Sequence, residues 1–457
     1  MKKLFGTDGI RAVAGQTPLD PATIYAVGLA LAHHLTPDDA TSAPRVILGQ
    51  DTRESSDWIA ATLTAGLIAG GATVESAGVI TTPAVAFLAR THHFSAGIVI
   101  SASHNPWQDN GIKLFGPDGF KLADSIELAI EAEIFRRLAT SAGTEQRTTD
   151  ATPPPINEAD RAEYVRFLLN SVPSLSLDGR RIVVDCANGA ASSIAPQLFA
   201  QLNENGGGEV ILTHASPTGR NINENCGALH PSVVAAEVVK NKASMGITFD
   251  GDADRALFAD ENGNVVNGDA VLLLAARHLK SLNLLTNDTV VATTMSNMGL
   301  EAALKRSQIK MLRAPVGDKY VLEQMLSTGA ALGGEQSGHI IFHGRSTTGD
   351  GILTALLLLD IIHRSGQTLA QLTADLKTFP QVIVNVHVRE KRPLDQIPAV
   401  AAAIAAAEAE LADSGRVVIR YSGTESLARV MIEAESDSLM HHHAATIANA
   451  IRAELGA

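Results

Sequence analysis

A serine stands where an apolar run of the sequence gives way to a polar turn. The run covers residues 96–100, and the segment that follows, Ser-Ala-Ser-His-Asn-Pro at 101–106, contains Ser103 and His104. Asparagine and proline favour a turn, and open α/β sheets place their chemistry at the carboxyl ends of strands. A serine presented there can act as a nucleophile or carry a transferred group.

Three aspartates at alternate positions follow a second apolar run. They are Asp250, Asp252 and Asp254, directly after the strand-like residues 245–249. Alternate side chains of an extended backbone point to the same side, so the three carboxylates would converge and repel one another. A hard cation relieves this repulsion, and Mg²⁺ prefers oxygen ligands and keeps room for a phosphate oxygen.

An EF-hand calcium loop is the main alternative for this cluster. The three aspartates and Glu261 fall at positions 1, 3, 5 and 12 of such a loop. Position 6 requires glycine but is Arg255, and the flanking segments are strand-like instead of helical. The pattern therefore favours magnesium, and a plain solvated turn remains as a further alternative.

Two glycine-containing segments carry polar side chains suited to a sugar phosphate. Residues 333–339 contain Glu335, Ser337 and His339, and glycine lets a backbone approach a ligand closely. Residues 420–425, with Arg429, combine guanidinium and hydroxyl donors that suit a phosphate dianion. The alternatives are a capped glycine turn for the first segment and a turn with salt-bridged arginines for the second.

Two further cations stand near these segments in the sequence. Arg11 ends the glycine-spaced segment 5–11, and Lys113 lies ten residues beyond Ser103. A chain reversal at residues 109–111 would return Lys113 on the neighbouring strand, facing the serine. Lysine can assist phosphoryl and proton transfer, although a lysine at the surface is the ordinary alternative.

Composition excludes several functional classes. The chain has 457 residues, 45% of them hydrophobic, and a net charge of −13, which argues against a general nucleic-acid binder. Its length predicts two to four domains. The two cysteines, the early polar residues and the absence of a long apolar run predict a cytoplasmic protein without membrane spans.

Strand-like and helix-like segments alternate along the chain, which predicts helices flanking mostly parallel sheets. Residues 143–160 lack an apolar period and are predicted to be a linker. His441, His442 and His443 lie in an alanine-rich helical stretch and are predicted to form a solvated helix face.

The motif segments, taken in order, resemble those of the α-D-phosphohexomutase superfamily over essentially the whole chain. Within it they are most similar to the members that act on amino-sugar phosphates, a similarity that depends on Gln336 and on residues 221–223, 316–320 and 347–351. The segments that carry the general resemblance are 5–11, 101–106, 109–113, 250–255, 334–339 and 420–425.

This resemblance implies four domains around a central cleft: three related α/β domains with mixed sheets and a smaller C-terminal α+β domain. The expected domains are 1–155 with the phosphoserine loop, 156–256 with the metal-binding loop, 257–374 with the sugar-binding loop and 375–457 with the phosphate-binding loop.

The resemblance also implies roles for individual residues. Ser103, beside His104, would be the phosphoserine, and one Mg²⁺ per subunit would be held by Ser103, Asp250, Asp252 and Asp254. Glu335 and Ser337 would bind sugar hydroxyls. The residues implied to hold the non-reacting phosphate are Arg420, Ser422, Gly423, Thr424 and Arg429. Those implied in proton transfer or charge stabilisation are Arg11, Lys113 and His339.

The implied reaction interconverts the 6- and 1-phosphates of glucosamine through phosphorylated Ser103 and a sugar 1,6-bisphosphate, which also acts as an activator. The implied partners are the phosphosugar and a second copy in a homodimer, without nucleic acid or membrane. Three residues depart from the family pattern, and Pro315 removes a possible cationic contact with the substrate; the departures are Ala12, Pro315 and Ser426.

Three alternatives share much of this sequence pattern. The same chemistry on glucose or mannose phosphates is the nearest, and relative rates on the three sugars would separate them. A magnesium-dependent sugar phosphatase would release inorganic phosphate without a bisphosphate activator. A catalytically silent sugar-phosphate binder is disfavoured by Ser103 and by the intact aspartate trio.

Overall fold

The structure is a computed structural model, and it describes residues 3–6, 8–36, 42–140, 152, 154–204, 207–422 and 426–456. Internal contacts divide the chain into two compact units. The first unit comprises residues 1–295 and 309–373, and the second comprises 296–308 and 374–457.

The first sheet has five strands in the order β1-β5-β4-β2-β3. β2 pairs parallel with β3 and β4, whereas β5 is antiparallel to β4 and β1, so the sheet is mixed. β4 is apolar and buried at every position, as expected for a strand covered on both faces. The elements are β1 Ile10–Val13, α1 Pro21–Leu35, β2 Arg45–Gln50, α2 Ser56–Ala69, β3 Thr73–Val79, α3 Thr82–Thr91, β4 Ala96–Ile100, β5 Asp109–Phe115 and α4 Asp124–Thr140.

The second sheet repeats this plan, in the order β10-β9-β8-β6-β7. β8 runs parallel to β6, and β9 returns antiparallel beside β8. The elements are α5 Glu158–Asn170, β6 Arg181–Asp185, α6 Ala195–Leu202, β7 Glu209–Thr213, α7 Pro231–Asn241, β8 Met245–Phe249, β9 Ala256–Ala259 and β10 Val265–Val266.

The third sheet has four strands in the order β12-β11-β13-β14, with β14 antiparallel to β13. Its elements are α8 Gly268–Ser281, β11 Thr289–Thr293, α9 Met298–Arg306, β12 Lys310–Ala314, α10 Asp318–Thr328, β13 Leu332–Gly334, β14 Ile340–Phe342, α11 Gly351–Ser365 and α12 Leu369–Thr373. The contacts of α9 assign it to the second unit, although its sequence lies among the elements of this third sheet.

The fourth sheet is antiparallel throughout, in the order β15-β17-β16. Its elements are β15 Gln381–His387, α13 Pro398–Leu411, β16 Gly415–Tyr421, β17 Leu427–Ala434 and α14 Asp437–Leu455. Three mixed α/β layers followed by an antiparallel α+β layer confirm the predicted fold class. Among the described helices, none combines the length and the apolar composition that a bilayer crossing would require.

Two local predictions are corrected by the structure. The predicted linker at 143–160 falls largely outside the described residues, and its last residues belong to α5, which begins at Glu158 because the Asn157 side chain accepts the Ala159 N–H. The predicted solvated histidine face is wrong for His443, which is buried on α14 with its Nε2 3.1 Å from Glu410.

Candidate active site

The turn that carries Ser103 follows β4, at the carboxyl end of the strand. Ser103 has a φ of 54°, in the left-handed region that favours glycine. Its side chain is buried, and its hydroxyl donates to an Asp250 carboxylate oxygen at 2.5 Å. His104 Nδ1 lies 3.2 Å from the same hydroxyl. The serine and the aspartate cluster, distant in the sequence, are therefore in direct contact.

The aspartate cluster occupies the sharp connection between β8 and β9. Asp250, Asp252 and Asp254 are buried, and one carboxylate oxygen from each lies within 4.8 Å of the others. The flanking elements are strands, so the EF-hand alternative is excluded. Oδ1 of Asp252 and Oδ1 of Asp254 are buried without a hydrogen-bond partner, which fits a site that a hard cation completes.

The three carboxylates do not share one electrostatic environment. Burial, together with the charges of Asp254 and Asp252, raises the pKa of Asp250 well above its usual value. Burial also acts to raise the pKa of Asp254, but the charges of Lys113 and Arg255 and the contact with His339 outweigh it and hold that pKa well below the usual range. A bound cation would favour the ionised form of all three.

Lys113 returns on β5, antiparallel to β4, as predicted. The predicted reversal at 109–111 is wrong, because these residues already belong to β5 and the chain reverses at 101–108. Its side chain is 1% exposed, and Nζ lies 2.7 Å from Asp252, 3.1 Å from Asp8 and 3.4 Å from Asp254. Although burial opposes the charged form, these carboxylates raise the pKa of Lys113 well above its usual value. The ammonium is therefore directed at the aspartate cluster, while the Ser103 hydroxyl contacts Asp250 and His104.

Asp8 joins Lys113 to a wider charge network. It pairs with Arg11 and with Lys121, and Lys121 also pairs with Asp318 at the start of α10. Arg11 Nη1 in addition donates to the Ala102 carbonyl of the serine turn at 3.3 Å. The network thus connects the turn before β1 with the serine turn and with the start of α10.

The segment between β13 and β14 places Glu335 and His339 on the wall of one cavity, with Ser337 in contact with Glu335. Ser337 donates to Glu335 at 3.1 Å, and the other Glu335 oxygen accepts the Gly317 N–H at 3.1 Å. His339 is buried, with Nδ1 3.7 Å from Asp254, and its Nε2 accepts the Gly349 N–H at 3.0 Å. Burial acts to lower the pKa of His339, but the contacts with Asp254 and Asp318 raise it above its usual value.

A cavity of about 380 Å³ opens above these groups. Both basic and acidic side chains line its wall, an arrangement suited to a polar ligand. Burial and the positive charges of Arg255 and Arg11 lower the pKa of His104 to about 4, so this imidazole is neutral at neutral pH. The charged and titratable residues of the wall are Asp8, Arg11, His104, Asp254, Arg255, Asp318, Glu335 and His339.

The phosphate-binding candidates lie in the second unit. Arg420 on β16 and Arg429 on β17 are opposite each other in the antiparallel register. Ser422 is buried, and its carbonyl accepts a 2.6 Å hydrogen bond from Lys391 Nζ. Gly423 and Thr424 lie outside the described residues. The two arginines of this motif are therefore neighbours, as a joint phosphate contact would require.

Sequence reasoning missed several charged residues that the fold brings to the site. Arg255 stood inside the quoted aspartate motif, and a cation directly after three carboxylates is a signal that could have singled it out. Asp8 likewise lies inside segment 5–11, and Asp318 lies inside segment 316–320. Lys121 had no such signal, because its contact with Asp318 joins segments 197 residues apart.

Comparison with known proteins agrees with the family resemblance found in the sequence. Four domain families match the chain: phosphoglucomutase/phosphomannomutase alpha/beta/alpha domain I at residues 2–140, domain II at 162–263, domain III at 267–379 and the C-terminal domain at 383–450. A phosphoglucosamine mutase of Koribacter versatilis is 59% identical over 100% of this chain and 98% of its own length. One from Solibacter usitatus is 51% identical over 100% of this chain and 99% of its own length.

The chain belongs to the phosphoglucomutase/phosphomannomutase family, the α-D-phosphohexomutases. Within that family it is a phosphoglucosamine mutase, and hence an isomerase, because full-length relatives with this activity are 44–59% identical to it.

Solved structures show the same fold at lower sequence identity. A phosphoglucomutase/phosphomannomutase family protein of Burkholderia thailandensis has a TM-score of 0.77 at 23% identity, covering 99% of this chain and 98% of that one. The N-acetylphosphoglucosamine mutase of Aspergillus fumigatus, in complex with GlcNAc-6P and magnesium, has a TM-score of 0.66 at 20% identity, covering 95% of this chain and 97% of that one.

Proposed function

We propose that Ser103 carries the phosphoryl group that this mutase moves between the 6 and 1 positions of glucosamine phosphate. The observation that supports this role is the contact of the buried Ser103 hydroxyl with Asp250, beside two carboxylates whose Oδ1 atoms lack hydrogen-bond partners. A phosphoryl group on this oxygen would lie next to the aspartate cluster and at the edge of the cavity lined by His104.

One Mg²⁺ would be held by Asp250, Asp252, Asp254 and a phosphoryl oxygen on Ser103. When bound, the ion would neutralise negative charge on the transferring group. Lys113 would contribute in the same direction, because the carboxylates around it keep its ammonium protonated. A lysine with a raised pKa is a source of positive charge instead of a general base at neutral pH.

The transfer would occur in two halves. In the first, the bond between phosphorus and Ser103 Oγ breaks, a bond to O1 of glucosamine 6-phosphate forms, and the O1 proton ends on Ser103 Oγ, which becomes a hydroxyl. The bisphosphate then turns around in the cavity. In the second, the 6-phosphoryl returns to Ser103 Oγ, and the Ser103 proton ends on O6. His339, whose pKa is raised by its contact with Asp254, would assist this proton transfer.

The remaining polar groups would bind the sugar phosphate. Glu335 and Ser337 would contact sugar hydroxyls, and Arg11 would stabilise negative charge near the serine turn. The non-reacting phosphate would be bound by Arg420, Ser422, Gly423, Thr424 and Arg429, because paired guanidinium groups and backbone donors match a phosphate dianion.

A coupled mutase assay on the 6-phosphates of glucosamine, glucose and mannose tests this proposal. Ser103→Ala should lose turnover of glucosamine 6-phosphate by several orders of magnitude while it still binds the sugar phosphate in calorimetry. The sugar 1,6-bisphosphate should restore the activity of dephosphorylated wild-type protein and leave Ser103→Ala inactive. Unchanged turnover in Ser103→Ala would remove the serine from the mechanism.

The same assay separates the alternatives. A preference for glucose or mannose phosphate would assign the chain to a different sugar with the same chemistry. Release of inorganic phosphate at the rate of substrate loss would indicate a phosphatase, because a mutase conserves the phosphoryl group.

Two expectations about the protein in its cell remain part of this proposal. We infer that it acts in the cytoplasm, where thiols stay reduced, and Cys186 and Cys226 are both free and buried. We also infer a homodimer, which analytical ultracentrifugation would reveal as a species of about twice the 47.9 kDa chain mass.

A further inference from the structure

Two backbone carbonyls of the serine turn are held by the same two side chains. Arg53 Nη2 donates to the carbonyl of Ser103 at 3.1 Å and to that of Asn105 at 2.6 Å. Asn223 Nδ2 donates to the same carbonyls, at 2.9 Å and 3.1 Å respectively. Each carbonyl therefore accepts two hydrogen bonds, one from each side chain.

Arg53 reaches the turn from within the first sheet layer. It is 2% exposed and forms an ion pair with Asp51, which has no exposed side-chain surface. Asp51 also accepts the Ser101 hydroxyl at 2.5 Å, and the Ser103 N–H donates to the Ser101 oxygen at 2.9 Å. The two Nη atoms of Arg53 are occupied in this way, whereas its buried Nε has no hydrogen-bond partner. Contacts at both Nη atoms fix the orientation of a planar guanidinium.

Asn223 reaches the turn from the segment between β7 and α7. It is 8% exposed, has a φ of 58° and donates its backbone N–H to the Ala187 carbonyl at 2.9 Å. The same segment accepts the Glu54 N–H through Gly219, at 3.0 Å. The two side chains thus approach the serine turn from different sheet layers that are themselves linked.

The turn needs this support because its conformation is unfavourable for serine. A non-glycine residue at positive φ persists only where its surroundings determine it. The backbone of the metal-binding loop passes close behind, since a Cβ added to Gly251 would lie 2.4 Å from the Ser103 carbonyl oxygen. Fixing the carbonyls of Ser103 and Asn105 holds the Ser103 backbone where its hydroxyl reaches Asp250.

We propose that Arg53 and Asn223 are positioning residues, which together hold the Ser103 turn so that its hydroxyl faces the aspartate cluster. The proposal rests on the role of Ser103 given above. It requires side chains that only donate toward the two carbonyls. A lysine at position 53 would lack the planar fork that reaches Asp51 and both carbonyls together. An aspartate at position 223 would repel the two carbonyl oxygens.

Substitutions at Asn223 test the proposal without removing a buried charge. Aspartate and glycine both tolerate the positive φ of this position, so neither adds backbone strain. We expect Asn223→Asp to lower kcat for glucosamine 6-phosphate about 100-fold, because a misplacement of about 1 Å costs on that order. Asn223→Gly should lower kcat less, because it removes the donor without adding repulsion. The KM of both variants should stay within about twofold of wild type.

Asn203→Asp is the matched control. The Asn203 amide of wild type also donates to a carbonyl, that of Gly208 at 2.9 Å. Asn203 lies before the amino end of β7, whereas the loops of Ser103 and of the aspartate cluster follow the carboxyl ends of their strands. We expect normal kcat for Asn203→Asp even if its melting temperature falls. Arg53→Lys should lose kcat in the fraction that folds.

The outcomes separate this inference from the function on which it depends. Normal kcat in folded Asn223→Asp, together with an inactive Ser103→Ala, would overturn the positioning role alone. Activity retained in Ser103→Ala would overturn both. An Asn223→Asp defect that appears as a raised KM, or that Asn203→Asp shares, would identify a general structural role and also overturn the proposal.

Discussion

At the scale of single residues, Lys113 supplies positive charge to the buried aspartate cluster. Its ammonium contacts Asp8, Asp252 and Asp254, in surroundings that exclude water from the lysine side chain. A buried charge of one sign is tolerated only when it is paired. The cluster is therefore partly neutralised before any metal binds.

Lys113→Met should destabilise the protein by about 3–5 kcal/mol, because it leaves buried carboxylates without their cation. Saturating Mg²⁺ should raise the melting temperature of this variant more than that of wild type, since the ion supplies the missing charge. Differential scanning fluorimetry with and without Mg²⁺ measures both effects.

Lys121→Met is the control for this prediction. Lys121 pairs with Asp8 and Asp318 but not with the aspartate cluster. Its loss should lower the melting temperature without enlarging the effect of Mg²⁺. Equal responses to Mg²⁺ in the two variants would show that Lys113 does not neutralise the cluster.

At the scale of elements, the start of α11 connects three parts of the first unit. Asp350 caps the helix through the Leu353 N–H and accepts the buried Tyr164 hydroxyl of α5 at 2.7 Å. The next residue, Gly351, donates its N–H to the Ala253 carbonyl, between the aspartates of the cluster, at 2.9 Å. In the sequence, segment 347–351 contributes only to the family resemblance, and the structure shows that it contacts the loop of the aspartate cluster.

Asp350 should make stability depend on pH. Burial raises the pKa of Asp350 from 3.8 to about 6, against the hydrogen bonds that lower it. The folded protein binds the Asp350 proton more tightly than the unfolded chain does. This proton therefore adds fully to the free energy of unfolding below pH 3.8, and its contribution is lost as the pH rises through about 6. The change amounts to about 3 kcal/mol.

Asp350→Asn should remove this pH-dependent component and keep the cap. The free energy of unfolding of the variant, relative to that of wild type, should therefore rise between pH 5 and pH 8. Asp350→Ala also removes the titrating group, but it loses the cap and takes the Asp350 acceptor away from the Tyr164 hydroxyl, so it should cost about 2–4 kcal/mol at pH 5 and less at pH 8. Urea unfolding at pH 5 and pH 8 measures these differences. The same free-energy change with pH in wild type and Asp350→Asn would contradict the assignment.

The elements also show what the sequence could predict. The apolar runs 96–100 and 245–249 predict strands at their observed bounds, because a short apolar run that ends in polar residues is typical of a buried strand. The strand-end rule predicts the exposed position of Ser103, whereas its place beside Asp250 is what the family resemblance implies. The contacts of Arg53 and Asn223 with the serine turn could not be predicted, because they depend on how two sheet layers pack and not on a local pattern.

At the scale of the whole molecule, the second unit has its own hydrophobic core. β15 and β17 pack against α13 and α14 there through a cluster of buried aliphatic side chains. Glu433 on β17 is fully buried, pairs with Arg416 at 2.6 Å and accepts the Met298 N–H at the start of α9 at 2.9 Å. One buried carboxylate therefore attaches α9, which is distant in sequence, to this unit.

Glu433→Ala should destabilise the second unit selectively by about 3–5 kcal/mol, because Arg416 loses this carboxylate and the Met298 N–H of α9 loses its acceptor. Differential scanning calorimetry should then show a transition that moves to lower temperature while the transition of the first unit stays in place. If both transitions shifted together, the two units would unfold cooperatively and Glu433 would not be specific to one of them.

Transfer of labelled phosphate from Ser103 is the most direct test of the whole account. Protein charged with ³²P on the serine is mixed with one equivalent of unlabelled glucosamine 6-phosphate and quenched within one turnover. We predict that the label leaves the protein and appears on the sugar, with none released as inorganic phosphate. Conversion of the substrate while the label stays on Ser103 would contradict the account.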